Sequence, residues 1–183
     1  MIDDILYVVG SKVKCIGELI PVGKTTLLHG RSGSGKTMSI IKYLNENEVT
    51  PYFIDFDSND EYASMDIVHI DGYKLVDYTS DDTKKALIDS LTDGVVIIDT
   101  YALASKIFDV ELFIDELNGY GITVIIIAHT VYYSGKPAEP ACEVVFSNHV
   151  ACRLHLHNEV KKTKTDVYLE VEKLRGKIGR AHV

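Results

Sequence analysis

The sequence predicts an α/β protein with a mostly parallel, twisted sheet, flanking helices and a C-terminal antiparallel hairpin. Up to about residue 130, short continuous apolar runs alternate with amphipathic stretches. Such runs are typical of parallel strands that are buried on both faces by helices. Beyond that point, two segments alternate apolar and polar residues, which is typical of antiparallel strands with one face exposed.

The predicted elements follow this pattern in chain order. Parallel strands are expected over residues 25–29, 51–56, 66–70, 95–98 and 122–128. Helices are expected over residues 36–46, 82–92 and 110–118. In the first helix, Met38, Ile41 and Leu44 are expected to point inward.

Capping residues support the last two helices. Ser80 and Asp81 can cap the helix over 82–92, which Gly94 closes. Asp109 can cap the helix over 110–118, which Gly119 ends. Residues 131–142 then form a predicted loop, and strands over 150–156 and 167–175 form the hairpin at the end of the sheet.

Length and composition limit the class of protein. The 183 residues, of which 46% are hydrophobic, suit one domain over 1–183, since no linker-like tract divides them. No apolar run is long enough to span a membrane, and the acidic N-terminus does not resemble a signal peptide, so a cytoplasmic protein is expected. Three cysteines without CxxC spacing argue against a disulfide framework.

Two local features have competing interpretations. Cysteines and histidines between residues 142 and 157 could suggest zinc, but strand alternation would place Cys152 and His155 on opposite faces, so no metal is assigned there. The net charge is −8, yet residues 151–183 carry eight basic and four acidic side chains. This basic end is either a surface for an anionic partner or a solvated hairpin.

One segment has a specific motif for binding phosphate. It fits GxxxxGK[ST] in full and lies between a predicted strand and a predicted helix, as the mechanism requires. Glycines let the backbone N–H groups surround phosphate, and the helix N-terminus favours negative charge. Lys36 would contact the outer phosphates and the Thr37 hydroxyl would bind Mg²⁺. The motif consists of Gly30, Arg31, Ser32, Gly33, Ser34, Gly35, Lys36 and Thr37.

A second segment supplies a carboxylate for the same cation. The apolar strand over 95–98 ends at Asp99, the Walker B pattern, in which an aspartate holds Mg²⁺ through water. An upstream Gly23-Lys24-Thr25 also spells GKT, but it lacks the earlier glycine and precedes a strand. We therefore interpret Gly23 and Lys24 as a turn into the first strand.

Taken in order, these motifs resemble the RecA-like P-loop ATPases over residues 14–180. The resemblance is strongest to short members with the core alone, such as RadB-like archaeal paralogues and phage RecA-like single-strand annealing proteins. It implies that ATP binds with Mg²⁺, with Met38 and Tyr62 beside the nucleotide. It also places Asp57 at the position of the catalytic glutamate and His129 at that of the γ-phosphate sensor.

The C-terminal strand adds an intersubunit feature to this resemblance. Residues 171–176 resemble the KxRxG strand of RadA and DnaB-type helicases, in which Lys and Arg reach the nucleotide of a neighbouring subunit. Lys173 and Arg175 would occupy these positions, and their spacing places both on one face of a strand. The alternatives are a solvated edge strand for this pair, a turn cap for Asp57 and an ordinary strand-end residue for His129.

The resemblance implies an ATPase of DNA recombination, repair or single-strand annealing. Tyr132, Tyr133 and Lys136 lie where that family has its DNA-binding loop, and aromatic side chains near a basic residue can stack on single-stranded bases. Expected partners are single-stranded DNA and either further copies of the chain or a RecA-family or single-strand-binding protein. The alternatives are an ATP-gated assembly or mediator module with little hydrolysis, a DnaB-like motor and a KaiC-like signalling ATPase.

Overall fold

The structure is a computed structural model, and it describes residues 7–8, 11–12, 20–56, 66–77, 80–91, 94–136, 138–160 and 165–174. Its strands are β1 (Tyr7–Val8), β2 (Ser11–Lys12), β3 (Thr25–Gly30), β4 (Thr50–Asp55), β5 (Val68–Asp71), β6 (Gly94–Asp99), β7 (Thr123–Val131), β8 (Glu139–Pro140), β9 (Cys152–Val160) and β10 (Thr165–Leu174). Its helices are α1 (Lys36–Glu46), α2 (Asp81–Ser90), α3 (Tyr101–Ala104), α4 (Val110–Gly119) and α5 (Val144–His149), with a 3-10 helix over Gly72–Asp77.

The strands form one sheet in the order β2-β1-β10-β9-β3-β7-β6-β4-β5, and β8 pairs with β7. Neighbouring strands from β9 through β3 to β5 are all parallel, whereas β9 and β10 form an antiparallel hairpin. The mostly parallel sheet and its hairpin are therefore confirmed. The expected place of the hairpin is wrong, because β10 also pairs with β1 and so lies inside the sheet.

Alternate residues of the central strands enter two separate cores. In β6, Val96 and Ile98 join one cluster, and Ile97 joins the other. The first cluster includes Phe113 of α4, and the second includes Ile41 of α1. Helices therefore cover both faces, which explains why the central strands are apolar throughout. Of the helices in the described ranges, none has the length and apolar character needed to cross a bilayer.

Local signals predicted most of the elements, and the cap of α4 is confirmed. The Asp109 side chain accepts a hydrogen bond from the backbone N–H of Leu112 at 3.1 Å. The inward position of Met38 is wrong, since it is 39% exposed while Ile40, Ile41 and Leu44 are buried. The stretch 131–142 is also not wholly a loop, because its last part forms β8.

Candidate functional site

The phosphate-binding motif forms a tight loop between β3 and α1. Gly33 and Gly35 have φ angles of 73° and 78°, a left-handed conformation that glycine adopts at little cost. The backbone N–H of Ser34 bonds the carbonyl of Arg31 at 3.2 Å, which closes a turn within the loop. Helix α1 begins immediately afterwards at Lys36, so its N-terminus points into the loop.

Lys36 lies inside this loop, not in solvent. Its Nζ atom donates a hydrogen bond to the Arg31 carbonyl at 2.8 Å, and the residue is only 5% exposed. Burial lowers the pKa of Lys36, and the charge of Asp99 opposes that shift. A buried ammonium held by a backbone carbonyl is poorly compensated, so a phosphate oxygen would be a better partner.

The two residues expected to hold Mg²⁺ are in direct contact. The Thr37 hydroxyl, at the start of α1, donates a hydrogen bond to Asp99 Oδ2 at the end of β6 over 2.6 Å. Burial raises the pKa of Asp99, although the bond from Thr37 and the charges of Lys36 and His129 act in the opposite direction. A hydroxyl and a carboxylate at one point are oxygen ligands of the kind that Mg²⁺ prefers.

Two further observations fit a nucleotide in this loop. Within the described ranges, Ser34 Oγ is buried without a hydrogen-bond partner, which is costly unless a ligand supplies one. A Cβ atom added to Gly30 would lie 2.8 Å from the Leu156 carbonyl oxygen and 3.2 Å from Lys36 Cδ. The residues present therefore fit a phosphate group with Mg²⁺.

The C-terminal ends of β3 and of the strands that follow it in the sheet, β7, β6 and β4, bring further polar residues close to the phosphate loop. Gly30 of β3 is in register with His129 of β7, and the charge of His129 acts on Asp99 of β6. One strand further, buried Asp55 of β4 is in register with Asp99 and lies 3.1 Å from His69. His129 therefore lies at the same end of the sheet as the phosphate loop. Asp55 is a carboxylate that the sequence motifs did not single out.

The remaining predicted residues are only partly described. Asp57, Tyr62 and Arg175 lie outside the described residues. Lys173 is half-buried opposite Arg153, next to a register shift between Val171 and Lys173. Strand β9 separates its strand, β10, from β3, so the strand order does not bring Lys173 beside the phosphate loop of its own chain.

Of the two tyrosines of the expected DNA loop, Tyr132 contacts the phosphate loop and Tyr133 follows it in the chain. Tyr132 and Tyr133 are 50% and 54% exposed. The guanidinium of Arg31 lies over the Tyr132 ring, with Cζ 4.8 Å from its centroid, a cation–π contact. Exposed Lys136 follows in a turn closed by its N–H and the Tyr133 carbonyl. The described residues of this segment, which we call the tyrosine hairpin, are 130–136 and 138–140.

Sequence reasoning missed one cluster of histidines and glutamates on β3, β9 and β10, of which His29 and His155 are buried. It contains His29, His155, His157, Glu170 and Glu172. Cys152 takes no part in it, because it packs in the core on the other face of β9, as alternation had predicted. The available signal was weak: histidines at 155 and 157 alternate on one strand, and glutamates at 170 and 172 alternate on the next.

Comparison with known proteins informs the fold. The sequence matches no protein-family model, and the search of curated proteins found no match. Among solved structures, the chain is similar to a KaiC-like protein, PH0186, from the hyperthermophilic archaeon Pyrococcus horikoshii OT3. The two are 20% identical, the alignment covers 87% of this chain and 85% of that one, and the TM-score is 0.57. The chain therefore has a RecA-like α/β fold, with a mostly parallel sheet, flanking helices and a C-terminal antiparallel hairpin.

Proposed function

We propose that this chain binds ATP with Mg²⁺ at the phosphate loop and hydrolyses it. The carrying observation is the 2.6 Å contact between the Thr37 hydroxyl and Asp99, beside the buried ammonium of Lys36. A hydroxyl, a carboxylate and a cation at the N-terminus of a helix are the groups needed to hold a nucleotide with its magnesium ion. Bound Mg²⁺ would neutralise charge on the phosphates.

Each protein group has a separate role in this proposal. Lys36 stabilises negative charge on the outer phosphates, and Thr37 and Asp99 hold the cation. Asp57 orients the attacking water, with a side chain one methylene shorter than glutamate, so hydrolysis is slow. His129 donates a hydrogen bond to the terminal phosphate and responds to its loss.

Four further side chains come from outside the loop. Tyr62 packs on the adenine, and Met38, exposed on α1 directly after Thr37, lies beside the nucleotide. Lys173 and Arg175 of a second copy of the chain act on the phosphates across a subunit interface, so full activity requires a homo-oligomer.

The test of nucleotide binding uses two lysines of the same helix. Lys36→Ala should abolish ATP binding, measured by calorimetry, because the phosphates lose their principal cation. Lys42→Ala is the matched control, since the Lys42 side chain is 44% exposed and pairs only weakly, at 3.9 Å, with Glu46. ATP affinity equal to wild type in Lys36→Ala would contradict the site, and equal losses in both variants would indicate a general effect on folding.

Beyond ATP binding and hydrolysis, we propose that the tyrosine hairpin binds single-stranded DNA, in recombination, repair or annealing. Tyr132 and Tyr133 expose aromatic faces, and Arg31 and Lys136 bring positive charge to the same surface. Stacking on an aromatic side chain contributes about 1–3 kcal/mol per base. Because Arg31 belongs to the phosphate loop and contacts Tyr132, nucleotide binding and DNA binding would affect each other.

A pair of matched tyrosine variants tests this proposal. Tyr133→Ala should weaken binding of a labelled oligothymidylate by roughly tenfold or more, the equivalent of one lost stacking contact. Tyr120→Ala is the control, because Tyr120 is 68% exposed at the end of α4, next to the start of β7 and away from the phosphate loop. Equal affinity of both variants for DNA would contradict the DNA surface and leave the ATP site unaffected.

The second candidate is an ATP-gated assembly module or a KaiC-like ATPase without DNA. The similar fold of a KaiC-like protein favours it, as does an aspartate at position 57. ATP turnover with and without single-stranded DNA separates the two candidates. Strong stimulation by DNA supports the first candidate. Tight ATP binding with negligible turnover in either condition supports the assembly module, and turnover that DNA does not change supports the KaiC-like ATPase.

A further inference from the structure

We propose that His29, His155 and Glu172 form a binding site for a divalent transition metal of the zinc type. The site joins strands β3, β9 and β10 on the face of the sheet opposite α1. It is distinct from the phosphate loop and independent of ATP.

Three ligand atoms converge at this point. His29 Nε2 lies 3.0 Å and His155 Nδ1 lies 3.4 Å from the same oxygen, Glu172 Oε1. All three atoms lie within 4.8 Å of one another. Four ligands at about 2.0–2.1 Å from a tetrahedral Zn²⁺ are separated by about 3.3–3.4 Å. The contacts to Glu172, at 3.0 Å and 3.4 Å, are close to this spacing.

Both histidines of the site are buried. His29 is 0% exposed and His155 is 2% exposed. The centroid of the His155 ring lies 4.2 Å from that of His29 and 3.6 Å from that of His157, so the three rings lie side by side. Imidazole nitrogens are ligands for zinc, copper and nickel.

The carboxylate of Glu172 is held in place beside them. The guanidinium of Arg153 donates to Glu172 Oε2 at 2.8 Å, which leaves Oε1 directed at the two histidines. A fixed carboxylate oxygen that faces two imidazole nitrogens is a prepared cation site.

A second group orients both rings. Thr130 Oγ1 lies 3.0 Å from His29 Nδ1 and 3.4 Å from His155 Nε2, the nitrogens that do not face Glu172. One hydroxyl oxygen has two lone pairs, so it can accept an N–H from each ring. Metal-binding histidines usually donate their other N–H to such a partner, which fixes the tautomer that leaves the first nitrogen free.

The outer end of the cluster supplies an entry path and a fourth ligand. His157 Nε2 lies 2.7 Å from Glu170 Oε2, and both side chains are partly exposed. Glu170 Oε2 is also 3.8 Å from His155 Nδ1, so it or a water molecule can complete a tetrahedron. A metal at this point would connect three strands at the level of Gly30, where β3 enters the phosphate loop.

The experiment measures metal binding directly on untagged, chelator-treated full chain. Zn²⁺ is titrated in competition with a chromogenic chelator, and Co²⁺ is added separately to record the visible absorption of a tetrahedral site. We expect one Zn²⁺ per chain and an increase in thermal midpoint. Glu172→Gln should reduce Zn²⁺ affinity more than 100-fold, and Thr130→Val should reduce it about 10–100-fold, the usual effect of losing a partner of a ligand.

The matched control is a second histidine with acidic neighbours. His149 lies 3.0 Å from Asp115 and 3.9 Å from Glu111 on the exposed side of α4. His149→Gln should leave Zn²⁺ binding unchanged. Each metal-free variant is compared with wild type by circular dichroism, and the isosteric Thr130→Val keeps the test available if Glu172→Gln fails to fold. Absent saturable binding by wild type, unchanged affinity in a folded Glu172→Gln or Thr130→Val, or loss of binding in His149→Gln overturns the proposal.

Discussion

Replacement of Gly30 by alanine should destabilise the protein and weaken nucleotide binding together. The new Cβ atom would lie 2.8 Å from the Leu156 carbonyl oxygen, 3.1 Å from Ser34 Oγ and 3.2 Å from Lys36 Cδ. Leu156 is the register partner of Gly30 on β9, so its carbonyl cannot move without separating two paired strands. The two side chains that would be displaced belong to the phosphate loop.

The expected change in the free energy of unfolding of Gly30→Ala follows from two opposing effects. Overpacking of this kind costs about 1–3 kcal/mol. Replacing glycine by alanine recovers about 0.4–1 kcal/mol by restricting the unfolded chain. We therefore expect a net loss of about 1–2 kcal/mol, equivalent to about 2–8 °C in thermal midpoint for a chain of this size.

Gly119→Ala is the matched control for this substitution. A Cβ atom at Gly119 meets no atom within 4 Å, and the residue ends α4. The stability of the Gly119→Ala variant should therefore equal or exceed that of wild type. Urea denaturation without nucleotide measures the stability, and calorimetry measures ATP affinity. The reasoning is refuted if Gly30→Ala unfolds at the same urea concentration as wild type, or if Gly119→Ala loses as much stability.

Three further outcomes are expected. Asp99→Asn should reduce Mg²⁺-dependent ATP hydrolysis more than ATP affinity, and unchanged turnover at limiting Mg²⁺ would contradict this role. Asp109→Ala should cost about 0.5–2 kcal/mol of stability in urea denaturation, because α4 loses its cap; no change would mean that the 3.1 Å bond contributes nothing. Arg175→Ala and Asp57→Ala should each be inactive alone, yet mixing them should restore activity, because some interfaces then pair an intact Asp57 with an intact Arg175. If mixed oligomers form without regaining activity, Arg175 does not act on a neighbour.

Local signals made the phosphate loop predictable. Glycine spacing, an adjoining apolar strand and a following helix are all encoded within residues 25–46, and the structure places β3 and α1 there. Which face of α1 is buried was harder to predict. Lys36 and Thr37 must face the loop and Asp99, which fixes the buried face at Ile40, Ile41 and Leu44 and turns Met38 outward. The spacing of apolar residues over the 11 residues of α1 does not show that Lys36 and Thr37 must face the loop.

The histidine cluster depends on contacts between distant parts of the chain. His29 and His155 are register partners on β3 and β9, and Glu172 follows on β10 at a register shift. A single sequence indicates strands but not which strand lies beside which, so three unremarkable residues gave no joint signal. The interior place of the hairpin escaped prediction for a similar reason, because β1 pairs with β10 through only two residues.

The strand order also has a consequence for synthesis of the chain. Tyr7 pairs with Tyr168, and β3 pairs with β7 and β9, so early segments have late partners. At ordinary ribosomal rates, roughly ten to thirty seconds separate the emergence of Tyr7 from that of Tyr168. Until residues 152–174 emerge, one edge of β3 has no neighbour, although its side chains are destined for the interior. The nascent chain therefore exposes an unpaired strand edge together with apolar side chains, and chaperones or other nascent chains can bind to it.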